Sequence, residues 1–382
     1  MDHNRKIIYL AGFLLAMPLA LTSYINSSTL QLYISKEYLG IIYVIASLLT
    51  IIGTFKMPDI LTRIGNRKTT MFLSASFGIS LVLLALGDNG FIIIPAFILY
   101  FISNILVFIT LDIFVEDFSK KSAIGGIRGI YLTIINLAWI VSQVISGTII
   151  AKSSFRGIYI LSALFALLVG FMFHILLRNF KDPKYNKKPI LKTFKFYLRH
   201  ANILRIYLIN LLLKFFYAWM VIYTPIYMHE YIGFSWSEIG IIFSVMLLPF
   251  VLVELPLGRL SDKIGEKKML LVGFSIIGLF TALIPLITIK TFWLWAMALF
   301  MTRVGAATVE IMSESYFFKS ITEEEDGVLS FFRNTYPVAY IIAPLTAIPI
   351  LLLAPSITYL FFVLGAIMLL GILLTLRLKD VK

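Results

Sequence analysis

The sequence predicts an all-α polytopic membrane protein, with twelve transmembrane helices arranged as two pseudo-symmetric six-helix bundles. Composition, a series of apolar runs and an internal repeat predict it. Of 382 residues, 60% are hydrophobic and 14% charged, with a mean hydropathy of +0.94. A soluble domain carries about 25% charged residues. A cytoplasmic enzyme of this composition would have nowhere to place its apolar surface, so that class is excluded. A membrane helix needs about 20 apolar residues, so twelve use about 240 and leave roughly 140 for loops.

Runs bounded by polar residues or glycine fall at 6–27, 38–56, 69–87, 91–113, 127–151, 155–177, 203–229, 236–257, 268–288, 291–316, 328–353 and 356–376. The first is too long for a cleavable signal peptide and shows no small-residue cleavage site. With the N-terminus inside, 27 lysines and arginines lie on the inner side, and four (Lys36, Lys152, Arg156, Lys290) lie outside. Two more, Lys214 and Arg303, lie within spans. This bias places both termini in the cytoplasm of a cell in whose plasma or inner membrane the chain sits. It also explains the net charge of +13, which faces the anionic inner leaflet. No soluble domain exists to present a basic patch to nucleic acid.

The longest polar stretch joins the sixth and seventh runs. It holds Lys181, Lys184, Lys187, Lys188, Lys192, Lys195 and Arg199 with Pro183 and Pro189. Residues 179–202 read as a cytoplasmic linker, partly an interfacial helix at about 190–200. They separate a bundle at 1–178 from one at 203–382.

There are no cysteines, which excludes disulfides and thiolate chemistry. His3, His174, His200 and His229 show no metal-ligand spacing. No cofactor or metal site is expected. No phosphate-binding loop of the G-x-x-x-x-G-K-[ST] kind appears.

The halves repeat. At a shift of about 200 residues, Ser35–Gly40 falls on Ser235–Gly240, and Gly65 falls on Gly265, each followed by basic residues. Thr110-Leu-Asp112-Ile falls on Thr308-Val-Glu310-Ile at a shift of 198. The matches occur in order at nearly constant offset. Parallel six-helix repeats are a known transporter plan, with a binding site between the halves at mid-depth.

The loop after the eighth run reads Gly258-Arg-Leu-Ser-Asp262-Lys263-Ile-Gly265-Glu-Lys267-Lys. It resembles the signature loop of the major facilitator superfamily, G-x-L-a-D-r-x-G-r-k, at Gly258, Leu260, Asp262, Lys263, Gly265 and Lys267; Glu266 departs from it. The first-half copy keeps Arg63, Gly65 and Arg67, while Pro58, Thr62 and Asn66 replace the first glycine, the aspartate and the arginine. The resemblance covers the whole chain through helix count, orientation and repeat. It implies a carrier that alternates access by rocking its halves, with a monomer as the default state. Glycines allow a tight turn, and an aspartate can cap a neighbouring helix. The basic residues can pair with acids at adjacent helix ends: Asp112 and Glu116 in the first half, Glu310 and Glu314 in the second. Such a network either latches the cytoplasmic face or is a static charge cluster that sets topology.

A weaker likeness lies in the fifth run, Asn136 to Gly147, which is similar to a helix-five pattern of family exporters. Ser142-Gln143 replaces its Gly-Pro pair, while Ala343-Pro344 stands at the corresponding place in the eleventh run.

Polar residues mark one face of several runs. The seventh shows Tyr207, Asn210, Lys214, Tyr217 and Thr224; the fifth shows Thr133, Asn136, Gln143 and Gly147; the tenth shows Arg303, Glu310 and Glu314. Asn26 lies near the outer end of the first, and Asn104 in the fourth. Lys214 lies about 11 residues, or roughly 16 Å, into its run, which is mid-bilayer. Arg303 lies at similar depth. An ionised group there costs at least ~2.5 kcal/mol, so it faces water or a partner. The two cations either form structural pairs or floor a cavity for an anionic or polar substrate. Tyr217, Trp219 and Trp139 are candidate stacking groups, and Asn210, Asn136, Gln143, Asn104 and Asn26 candidate polar contacts. Glu310, two turns from Arg303 on one face, either pairs with it and exchanges a proton or belongs to the latch. Glu254 is a second proton-coupling candidate.

These readings favour a proton-coupled secondary active transporter of a small molecule, with a lean toward export. An organic-anion or metabolite uptake carrier is the alternative. A receptor that binds without translocating shares the same signature. An intramembrane enzyme would need a histidine or metal-ligand partner for its clustered acids, and none is present.

Overall fold

The structure, a computed structural model, describes residues 3–117, 124–176, 190–253, 256–257, 260, 264–321 and 328–379. All regular elements among them are helical. In hydrocarbon no water satisfies the backbone, and a helix satisfies its own N–H and C=O groups along its length. Among the described residues, ten helices are long and apolar enough to cross a membrane, and two shorter apolar helices, Tyr9–Ser23 and Trp236–Leu252, complete the twelve expected. The protein is an integral membrane protein. Its chain divides into two compact units, Met1–Lys187 with Ser235–Ile241, and Lys188–Phe234 with Ile242–Lys382.

The first unit is built from α1 (His3–Ser23), α2 (Asn26–Gln31), α3 (Lys36–Ile64), α4 (Asn66–Leu86), α5 (Gly90–Asp117), α6 (Ile124–Lys152) and α7 (Phe155–Leu176). Within it α4 packs on α5 and α7, α1 on α6 and α7, and α3 on α5. Val107, Leu111 and Phe114 of α5 meet Phe173 of α7 in a buried core, with the Phe114 and Phe173 rings 5.0 Å apart.

The second unit contains α8 (Ile190–Arg199), α9 (Ala201–Ile226), a π-helical turn at Tyr227–Tyr231, the part of α10 (Trp236–Leu247) from Ile242 onward, α11 (Pro249–Leu252), α12 (Glu266–Leu283), α13 (Phe292–Ser320), α14 (Val328–Arg333), α15 (Thr335–Leu353) and α16 (Tyr359–Leu376). Here α12 packs on α13 and α16, and α9 on α15 and α16. Helix for helix, this is the pairing of the first unit.

The repeat extends to backbone angles. Gly65 starts α4 at φ 80°, ψ 162°, and Gly265 starts α12 at φ 86°, ψ 148°. Side chains with a Cβ avoid that region, so both turns require glycine. The next residues also correspond. Arg67 donates to the carbonyls of Phe173 and His174 at 3.1 and 2.6 Å. Lys267 donates to the Leu378 carbonyl at 2.8 Å. Each basic side chain therefore satisfies carbonyls left free at the end of its unit's last helix.

Three boundaries differ from the sequence expectation. Helix α3 runs on past the second apolar run to Ile64 and includes Pro58, which removes a single backbone donor without ending the helix. The eighth span breaks at Leu248, which keeps helical backbone angles (φ −54°, ψ −35°), because Pro249 has no N–H to continue the hydrogen bonds of the preceding turn. The first span ends at Ser23, and a short helix follows from Asn26. Its loosened end leaves carbonyls that α6 satisfies: Gln143 donates to Ala20 O at 2.9 Å and Ser146 to Leu21 O at 2.5 Å.

Candidate functional site

Helices α9 and α13 pack against each other in the second unit. On α9, Asn210, Lys214 and Tyr217 are spaced four and three residues apart, so they share one face. Lys214 and Tyr217 on that face meet the polar side of α13. Lys214 Nζ lies 2.6 Å from Glu310 Oε1, and the Tyr217 hydroxyl donates to Glu310 Oε2 at 2.9 Å. Both carboxylate oxygens are thus engaged from the neighbouring helix. The Lys214 ammonium also sits 5.1 Å from the Tyr217 ring centre. Lys214 and Glu310 are partly enclosed, at 15% and 27% side-chain exposure.

Arg303 stands two turns before Glu310 on α13, about 10.5 Å of rise away. Its guanidinium lies 4.9 Å from the Phe216 ring centre and 5.8 Å from that of Tyr217. The residue is 1% exposed, and its Nη1 is buried with no hydrogen-bond partner. Cation–π contacts contribute ~2 kcal/mol each when desolvated. They do not satisfy an N–H, and a buried donor without an acceptor costs ~1–3 kcal/mol or more when charged. Glu310 pairs with Lys214 and Tyr217, not with Arg303 as the shared helix face suggested. Seven residues of axial rise put the two too far apart, whereas Lys214 reaches across at the same level.

The other expected positions lie apart from this cluster. Asn210 donates to Thr335 Oγ1 at 2.8 Å and ties α9 to α15. Trp219 is fully buried, with Phe215 and Tyr223 rings 5.2 and 6.0 Å away, so it packs the interior. In the first unit, Asn26 accepts from the Tyr159 hydroxyl at 3.0 Å, and Gln143 is committed to α1. Trp139 meets Tyr24 edge-on at 6.4 Å. Asn104 is buried with its Oδ1 unpartnered, while Asn136 is half-buried.

The expected gate splits. Gly265 makes its turn, but Lys267 caps a carbonyl where an acid partner was anticipated. Glu266 instead holds Lys319 at 2.5 Å and Ser315 at 3.0 Å. Glu314 pairs with Arg333 at 2.6 Å. Asp112 is exposed on α5, and Glu116 lies on the same helix with its side chain outside the described set. Gly258, Asp262, Lys263 and Glu254 lie outside the described residues, as does the linker from 179 to 189. No cluster of three or more histidine, aspartate or glutamate side chains capable of holding a metal occurs among the described residues.

A helical membrane protein with a duplicated pairing scheme and an ionic cluster in mid-span fits a carrier plan. The family model of the Major Facilitator Superfamily matches residues 8–237 and again residues 222–382. The chain belongs to the major facilitator superfamily. A search of curated proteins finds no significant match. Members of the superfamily are secondary transporters of small molecules, not enzymes, and this superfamily member is read as such.

Sequence reasoning missed Phe216, whose ring covers Arg303, and Thr335, the partner of Asn210. Phe216 is adjacent to Tyr217 on a helix where nearly every residue is apolar, so nothing distinguished it. Thr335 lies 125 residues from its partner.

Proposed function

We propose that this superfamily member couples transport to protons, with Glu310 as the proton carrier and Lys214 as its exchangeable counter-ion. The observation that carries this reading is the Lys214–Glu310 pair, 2.6 Å apart within the spans Ala201–Tyr231 and Phe292–Ser320. With Glu310 ionised, the pair is neutral and Tyr217 supports the carboxylate. A proton on Glu310 removes one negative charge. Lys214 then loses its counter-ion and the Tyr217 hydroxyl loses its ionic acceptor. An uncompensated cation in hydrocarbon is costly, so the pair opens and the two helices lose one tie between them. Along α13 the flanking charges are Arg303 two turns before Glu310 and Glu314 one turn after it, the latter held by Arg333.

The charge balance also sets the sign of coupling. Protonation raises the local charge by one, which favours an anion and disfavours a cation. Co-transport of an anion with a proton and exchange of a cation for a proton both follow from the same pair. The lean toward export rests on the compact chain and its many aromatics, and uptake of an organic anion rests on the two cations. The basic bias of the inner segments supports cytoplasmic termini in a cell membrane.

The test begins with a thermal-stability screen of detergent-purified protein against anionic metabolites, sugars, nucleosides and lipophilic cations, since ligands of the folded state raise its melting temperature. The hit is then measured in proteoliposomes under an imposed pH gradient. Wild type accumulates it above equilibrium, and Glu310→Gln retains exchange at equal concentrations but loses accumulation. Gradient-driven accumulation in Glu310→Gln overturns the assignment. Binding without flux in wild type identifies a receptor.

A further inference from the structure

We infer that Arg303 is the receptor for the carboxylate of an organic monoanion, which names the substrate class of the site proposed above and rests on that transporter reading. Lys214 and Glu310 satisfy each other, so Lys214 is not available as a second anion ligand while the pair is closed. Arg303 has no such partner: among the described residues it makes no ion pair, it is 1% exposed, and its Nη1 is buried and unpartnered. Two aromatic faces hold the guanidinium, from Phe216 at 4.9 Å and Tyr217 at 5.8 Å. Rings over the guanidinium face leave its N–H edge as the remaining bonding surface. That edge is a planar fork that matches a carboxylate by two parallel hydrogen bonds.

The charge count selects a monoanion. The ionised Lys214–Glu310 pair contributes nothing, and Arg303 contributes one positive charge. One carboxylate makes the cluster neutral, a dianion leaves it negative, and a cation doubles the charge. Tyr217 links the two functions, because its ring faces Arg303 while its hydroxyl holds Glu310. The anion therefore docks beside the proton carrier without consuming it.

The experiment reads binding, not transport. Detergent-purified protein is melted with acetate, hexanoate and benzoate, with acetamide, hexanamide and benzamide, with succinate, and with benzylamine. At least one monocarboxylate raises the melting temperature in a concentration-dependent way, and its amide, succinate and benzylamine do not. Arg303→Met keeps the bulk and removes the charge. It weakens the apparent affinity at least ~10-fold, the loss expected for one charged hydrogen-bonded contact, and Arg303→Lys retains part of the shift. Arg303→Met melts close to wild type without ligand, because the loss of two cation–π contacts is offset by the removal of a buried cation that has no counter-ion. Glu310→Gln, which fixes the charge state of the protonated carrier and frees Lys214, strengthens the carboxylate shift while abolishing proton-driven accumulation, so failure of proton coupling and failure of anion binding are told apart. Absence of any monocarboxylate shift, an equal shift with the amide, or an undiminished shift in Arg303→Met overturns the inference. An unliganded Arg303→Met that melts well below wild type makes Arg303 a structural residue and overturns it too.

Discussion

Lys214 Nζ and Glu310 Oε1 meet at 2.6 Å between two helices of one unit, and the Tyr217 hydroxyl closes the other carboxylate oxygen at 2.9 Å. The pair is partly exposed, so its removal costs less than the ~3–5 kcal/mol of breaking a fully buried pair. Lys214→Ala and Glu310→Gln each destabilise by about 1–3 kcal/mol, because each leaves one group facing a lost partner. The double variant is less destabilised than the sum of the singles. Melting temperatures of the four proteins in one detergent give the cycle, and strict additivity would remove the pair as an energetic unit.

At Gly265 the backbone has φ 86° and a Cβ would meet nothing within 4 Å. Any effect of Gly265→Ala is therefore backbone strain alone, expected at about 1–3 kcal/mol. Thermal unfolding measures it. A neutral substitution would show that the turn relaxes to an ordinary conformation without loss.

What the sequence disclosed about this site follows from cost. Lys214 and Arg303 stood out because ionised groups are rare in apolar runs, and the twelve spans stood out because a bilayer demands length. Gly65 and Gly265 were visible as a repeat before their backbone angles gave the reason. The partner of Glu310 was not legible. Spacing along α13 points to Arg303, but the pairing depends on the level at which α9 and α13 pack, and that is fixed by side chains along the whole contact. The break at Leu248 was readable in principle from Pro249. The true extent of α3 was not, because its helix continues beyond the apolar run that marked it.

The crossing of α12 and α13 depends on absent side chains. A Cβ at Gly305 would lie 2.7 Å from the Gly273 carbonyl oxygen and 2.8 Å from the Ile277 nitrogen, both backbone atoms that cannot rotate away. Gly305→Ala separates the helices and costs about 1–3 kcal/mol, as overpacking does elsewhere. Lower melting temperature and lower yield of folded protein are the expected readouts. Unchanged values would mean that the pair is looser than its geometry states.

Topology is testable without background labelling, because the chain contains no cysteine. A single cysteine at Lys290, between α12 and α13, reacts with a membrane-impermeant maleimide in intact cells. One at Arg377, just after α16, reacts only after permeabilisation. The reverse pattern would invert the orientation drawn from the lysine and arginine bias.

Arg67 and Lys267 separate helix capping from gating. Arg67 bonds the carbonyls of Phe173 and His174 in one unit, and Lys267 bonds that of Leu378 in the other. If capping is their work, Arg67→Met and Lys267→Met each lower stability by about 0.5–1.5 kcal/mol, the scale of single hydrogen bonds in proteins. The two losses add in the double variant, since the residues share no partner. Transport per folded molecule stays near the wild-type rate. A gate role predicts the opposite division: little change in melting temperature, a large change in transport rate, and a double variant that deviates from additivity. Both readouts come from the same purified proteins, so the comparison does not depend on expression level.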